Sequence, residues 1–299
     1  MSDAHFKDEA GGAPMRAVER DQLAVRVSAP ARRTSRFIFA SPHSGSQYPM
    51  DFLARSILPM KLLRRSEDAF VDELFAPAPD MGAVLIAAQF PRAYLDPNRA
   101  RHELDPIMFE DKLPAEAWRP SPRAAAGLGV VPRLAADGRA IYAGRLPYSE
   151  ARLRLQACYE PYHRVLGEEI SATRQAFGEA VLIDCHSMPT ASARGADIVL
   201  GDRFGASCAR GLVARAEAGF RRLGFTVARN RPYAGGHTTE HYGRPDAGVN
   251  VLQVEISRGL YMDEASIRPN ARFHALQEAM REWMIRLTGA EPAEHAAAE

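Results

Sequence analysis

The sequence predicts a single α/β domain, a mixed sheet flanked by helices. Three observations predict it. Short apolar runs alternate with helical patterns along most of the chain. Two of those runs, at 37–41 and 181–183, end alike, in a tight polar turn carrying a histidine, His43 and His186. The 299 residues, 46% of them hydrophobic, suffice for one sizeable core.

The elements follow in order. Residues 1–34 read as a poorly packed lead-in with a short edge strand at 25–27. Residues 36–41 form the first core strand, and Pro42 to Gly45 its exit loop. A helix is expected over 51–64. Another is expected over 66–75, with Ser66 as N-cap and Glu67 and Asp68 in the first turn, where acidic charge favours the helix dipole. On that helix Asp68 and Asp72, four positions apart, share a face. The next strand covers 83–88. Six prolines and four glycines then mark 100–148 as a long irregular insertion, part of which packs through Met108, Phe109 and Trp118. The longest helical pattern runs over 149–177, kinked at Pro161. Strands at 181–187, 197–200 and 225–228 follow, with a helix at 205–223. A polar Gly-rich loop at 233–243 leads into a strand at 249–256. Asp263 is expected to cap a terminal helix ending near Leu287, before a frayed tail at 290–299. The domain proper is thus read as 35–289.

Bulk properties narrow the function. Thirty-eight basic and 37 acidic side chains leave a net charge of +1, with no clustered basic excess to bind nucleic acid. No apolar run approaches the roughly 20 residues of a membrane span, and the polar first residues lack the apolar core of a signal peptide. Cys158, Cys185 and Cys208 include no C-x-x-C spacing, so a reducing, cytoplasmic setting fits better than a disulfide framework.

The candidate chemistry sits at strand ends. His43 and His186 lie in tight polar loops. Two histidines and one carboxylate form a catalytic zinc set with an open position. The carboxylate is left open among Glu67, Asp68 and Asp72. Asp184 precedes His186 by two, on the same strand face, where it would orient the imidazole. Glu255 interrupts an apolar strand, and a buried carboxylate is unfavourable unless paired or used. It reads as a general base, or else as the ion-pair partner of Arg258. Asn98 and Arg99 suit a substrate carboxylate, since arginine offers a planar fork of donors. Arg92 is a weaker candidate for polarising a carbonyl. Cys185 offers a competing thiol mechanism, but neighbours on a strand point to opposite faces. It therefore reads as a core thiol rather than a partner of His186. Ser44 and Ser187 lack the G-x-S-x-G elbow, and the Gly235–Gly236 loop lacks the nucleotide-binding pattern. A non-catalytic small-molecule binding protein is a further alternative.

The ordered set of 41–45, Asp68 with Asp72, Asp96 to Arg99, 161–163, Asp184 to Ser187, 235–243, 253–256 and 260–264 resembles the N-formylglutamate amidohydrolase family. The resemblance runs over about 36–265. It implies a phosphorylase/hydrolase-like fold related to zinc carboxypeptidases and acyl-glutamate deacylases. It also implies hydrolysis of N-formyl-L-glutamate to formate and glutamate, the last step of one histidine-degradation route. The carboxypeptidase relatives use a His-x-x-Glu pair, a later histidine, a strand glutamate as base and an Asn-Arg pair. Here His43 and His186 match the histidines, Glu255 the base, and Asn98 with Arg99 the carboxylate clamp. Position 46 is serine, so Asp68 is taken as the third Zn²⁺ ligand. Arg92 is assigned to the developing oxyanion, and His237 to substrate contact or loop order. Glu240 stands where an arginine is expected in the family's histidine-pathway members. That substitution favours a wider reading, deacylation of another N-acyl amino acid.

Overall fold

The computed structural model describes residues 18–22 and 24–290. The tail expected at 290–299, all but Ala290, lies outside them, as do Leu23 and the first 17 positions. Eight strands form one mixed sheet: β1 (Val18–Gln22), β2 (Val25–Ala29), β3 (Phe37–Ser41), β4 (Val84–Ala88), β5 (Ala180–Met188), β6 (Ile198–Gly201), β7 (Val227–Arg229) and β8 (Val249–Ser257). Their spatial order is β1-β2-β4-β3-β5-β8-β6-β7. The central pairs β4/β3, β3/β5 and β5/β8 are parallel, and β8/β6 and the β1/β2/β4 side are antiparallel. The short strand read at 25–27 is therefore not an edge. It pairs on both sides, and Val25 is fully buried.

Nine helices complete the described residues: α1 (Met50–Arg55), α2 (Met60–Leu63), α3 (Val71–Leu74), α4 (Pro122–Ala125), α5 (Tyr148–Arg154), α6 (Glu160–Phe177), α7 (Arg210–Arg222), α8 (His237–Tyr242) and α9 (Phe273–Thr288). Among them, no helix is long and apolar enough to cross a membrane.

The side-chain period of two on the central strands feeds two cores. Leu182 and Val251 face α6, with Tyr162, Leu166 and Ile170. Val181, Ile183, Cys185 and Leu252 face the other layer, where Phe220 of α7 stacks on Trp283 of α9 at 4.3 Å between centroids.

Several expected elements differ for local physical reasons. The helix over 51–64 is broken at Pro59, whose ring and missing N–H end α1 and restart the chain as α2. The helix over 66–75 starts only at Val71. Ser66 ends a 3₁₀ turn, Glu67 is extended, and Phe70 takes a left-handed φ of 67°. Tertiary bonds claim the backbone there: the Asp68 N–H donates to the His43 carbonyl at 2.9 Å, and Arg258 to the Glu67 carbonyl at 2.6 Å. Asp68 and Asp72 consequently share no helical face. At Pro161 the long helix departs from regular α geometry. A π turn at Leu155–Tyr159 precedes it, a wider turn that accommodates the missing donor. The loop over 233–243 contains α8. Asp263 caps no terminal helix. It accepts from Ser266, and α9 begins at Phe273.

The insertion at 100–148 is short on regular structure but well anchored. Val130, Val131, Ile141, Tyr142 and Leu146 are buried, as are Met108 and Phe109, and Trp118 packs against the same core. Arg154 of α5, fully buried, donates to the Tyr142 hydroxyl at 2.6 Å and to Glu150 at 2.8 Å, and lies 4.3 Å from the Tyr94 ring centre.

Candidate active site

At the carboxyl ends of β3, β5 and β8 the chain opens a cavity of about 490 Å³, a size that suits a small molecule. In open α/β sheets this edge is where ligands bind. His43 arrives on the loop after β3. His186 stands on β5, opposite Glu255 of β8 in the parallel register. Asp68 arrives on the extended turn before α3.

These three residues meet. Asp68 Oδ2 lies 3.2 Å from His43 Nδ1 and 2.9 Å from His186 Nδ1. One donor atom from each of His43, Asp68 and His186 falls within 4.8 Å of the others, and all three are buried. The open choice among Glu67, Asp68 and Asp72 is thereby narrowed by geometry. Glu67 accepts from the Tyr48 hydroxyl at 2.6 Å, and Asp72 pairs with Arg26 at 2.5 Å. Burial alone would raise the Asp68 carboxyl, but the two imidazoles hold it well below its usual range.

Each outer ring nitrogen has its own carboxylate. His43 Nε2 is 2.7 Å from Asp96 Oδ1, and His186 Nε2 is 3.1 Å from Asp184 Oδ2. Such bonds fix the tautomer and leave both Nδ1 atoms facing Asp68. Asp96 went unrecognised as a partner of His43, because only the tertiary fold brings its turn to that loop. Against burial, which raises it, Arg92, Arg99 and His43 keep Asp96 well below the usual range. Burial lowers His186, but the neighbouring carboxylates, Asp184 foremost and then Asp68, together outweigh it and move the imidazole well above its ordinary value. The donor chemistry of the group, two imidazoles held by carboxylates and one carboxylate between them, fits a divalent metal such as zinc.

The remaining residues divide between cavity and surroundings. Glu255 lines the cavity, and burial pushes its carboxyl up to about 7. Gln253, on the same strand face, donates to it at 2.9 Å and accepts from the Gly236 N–H at 2.9 Å. Arg258 does not pair with Glu255. It donates to Asp68 Oδ1 at 3.0 Å. Arg92 lines the cavity and donates to Asp96 at 3.0 Å. Arg99 lines it too, with bonds to the Leu128 and Asn98 carbonyls. The Asn98 amide is occupied: its nitrogen lies 3.0 Å from His186 Nε2 and donates to Asp184 at 3.3 Å, and its oxygen accepts from the Thr238 N–H. Gly236 packs so closely that a Cβ there would lie 2.6 Å from both amide atoms. His237 does not line the cavity. It neighbours Tyr159, at 3.3 Å, and stacks on His241. Burial and the His241 charge lower it to about 4. Glu240 is exposed and pairs with Arg203 at 3.0 Å, away from the cavity lining. Cys185 is buried in the core on the opposite sheet face. Its thiol donates to the Ile183 carbonyl, and burial drives its pKa well up, so it is no partner for His186.

A buried two-histidine, one-carboxylate group and a poised glutamate at the carboxyl edge of a mixed sheet define a class, the hydrolytic α/β enzymes. A family model described as N-formylglutamate amidohydrolase matches residues 35–262. The N-formylglutamate deformylase of Pseudomonas aeruginosa is 32% identical over 252 residues, which cover 82% of this chain and 88% of that protein. The N-formylglutamate deformylase of Pseudomonas putida is 30% identical over 205 residues, 66% and 71% of the two chains. The crystal structure of N-formylglutamate amidohydrolase from Ralstonia eutropha JMP134 superposes with a TM-score of 0.85 at 35% identity, over 89% of this chain and 97% of that one. The chain belongs to the N-formylglutamate amidohydrolase family, and it is an enzyme, a hydrolase acting on an amide bond.

Proposed function

We propose that the enzyme hydrolyses the N-formyl amide of an acidic amino acid, N-formyl-L-glutamate to formate and L-glutamate, with Zn²⁺ as its metal. The observation that carries this reading is the convergence of His43 Nδ1, Asp68 Oδ2 and His186 Nδ1 in a cavity that also holds Glu255. Zinc held by those three residues supplies a Lewis acid and lowers the pKa of water towards about 7.

The chain's own residues do the rest. Glu255, close to neutrality, accepts a proton from the attacking water as its oxygen adds to the formyl carbon. It returns that proton to the nitrogen as the C–N bond breaks, leaving formate and a free amine. Arg92 contributes positive charge for the oxygen that becomes negative. Arg99 binds a carboxylate of the amino acid. Asn98 acts through His186, whose ring it borders, rather than through the substrate. The names of the relatives support the substrate. Three buried free thiols support a reducing, cytoplasmic setting, and the proposed reaction is the one that would end a histidine-degradation route.

The test is formate release from N-formyl-L-glutamate by zinc-loaded protein, together with metal content. About one zinc per chain is expected, and His186→Ala loses both the metal and at least about a thousandfold in kcat/KM. Full metal retention by that variant would overturn the ligand assignment.

A further inference from the structure

The cavity holds more positive charge than its own carboxylates balance. Arg92, Arg99, Arg123 and Arg258 line it, against Asp68, Asp96 and Glu255. Arg258 is paired with Asp68. Asp96 is shared by Arg92 at 3.0 Å and Arg99 at 3.7 Å. Glu255 shares its carboxylate with Gln253.

Arg123 is left over. It is exposed on α4, within the Pro/Gly-rich insertion, and its side chain makes no hydrogen bond or ion pair among the described residues. The turn that carries it is fixed. Ser121 caps α4 and donates to Glu103 at 2.6 Å, while the neighbouring Ala124 is buried. Arg123 also acts on Arg99: its charge adds to burial in lowering that guanidinium. A free cation held beside a second cation, at the mouth of a cavity of this size, suits a ligand with two negative groups.

We infer that Arg123 is a specificity-determining residue that receives the side-chain carboxylate of the acyl amino acid, while Arg99 takes the α-carboxylate. This rests on the amide hydrolysis proposed above. It assigns to the insertion the choice between acidic and neutral side chains. Because Arg123 is exposed, water screens its charge, so its effect is set near the lower end for a charged hydrogen bond, about tenfold.

Binding tests this separately from turnover. Zinc-loaded Glu255→Gln protein is titrated by calorimetry with N-formyl-L-glutamate and with its neutral isostere N-formyl-L-glutamine. A preference of about tenfold for the acid is expected. The preference should disappear in the Glu255→Gln, Arg123→Ala double variant and partly return with Arg123→Lys. An unchanged preference in the double variant overturns the assignment. So does equal loss of both ligands, or no preference at the start. Formate release by the unsubstituted enzyme bears on the hydrolytic reading alone, since the binding comparison needs no turnover.

Discussion

His43 and His186 offer the same ring nitrogen to Asp68, but they are held in different ways. His43 hangs from a loop, and its carboxylate partner Asp96 is bracketed by Arg92 and Arg99. His186 is set in a nine-residue strand buried along its whole length. Its partner Asp184 has no arginine, and its Oδ1 has no hydrogen-bond partner among the described residues. On one side, then, the imidazole adds to a carboxylate already balanced by cations. On the other, the imidazole is itself the counter-charge, which is why His186 is displaced above its ordinary value. Equivalent candidate ligands thus rest on supports of opposite electrostatic logic.

Removing each support in turn is the sharpest way to break this comparison. Asp96→Asn strands two arginines without their counter-charge, and breaking a buried pair from one side costs about 3–5 kcal/mol. A Tm fall of several degrees in the metal-free protein is expected. Asp184→Asn leaves no arginine unpaired. It should weaken zinc binding about 10–100-fold with a much smaller change in Tm. Equal Tm losses in the two variants would refute the asymmetry.

A smaller effect comes from pH. Burial raises Glu255 to about 7, so the protonated form is favoured by folding. The contribution of Glu255 to metal-free stability is complete below the ordinary carboxyl pKa of 4.5 and is lost as pH rises through about 7. Glu255→Gln should remove that contribution, making the metal-free stability profile shallower between about pH 4.5 and 7. As a base, Glu255 must be ionised, so kcat/KM should fall on acidification along a limb at or below about pH 7, because a bound dication lowers the carboxyl further. A profile flat down to about pH 5 would rule out Glu255 as the base. The smallest effect belongs to the far face of the sheet. Cys185→Ala should leave kcat/KM within about twofold and cost about 1 kcal/mol of stability. A large loss of turnover would reopen the thiol mechanism.

Much of this was legible because the signals are local. A strand closing in a histidine turn, and an acid inside the apolar run of β8, need only neighbouring residues to be noticed, and period two alone separates Cys185 from His186. What escaped was tertiary. Asp68 reads as helix because its neighbours have helical spacing, but bonds to the backbone, from Asp68 N–H to the His43 loop and from the Arg258 side chain to Glu67, keep it outside the helix. Asp96 was read within a carboxylate-binding motif, and nothing near it in sequence points to His43. Arg258, three positions after Glu255, was the obvious partner for it, yet the chain turns after β8 and delivers the guanidinium to Asp68. The cation on the insertion was hidden by irregular sequence.

The contact between Asp68 and His186 spans 118 positions. A nascent chain that has emerged only as far as the insertion therefore owns half a site. Unlike a zinc finger, whose ligands lie close together and whose metal drives folding, this protein brings Asp68 and His186 together only once β5 has been synthesised. Under the proposed metal assignment, loading is a late event that rewards a completed fold, through selective binding to the native state, rather than one that guides it.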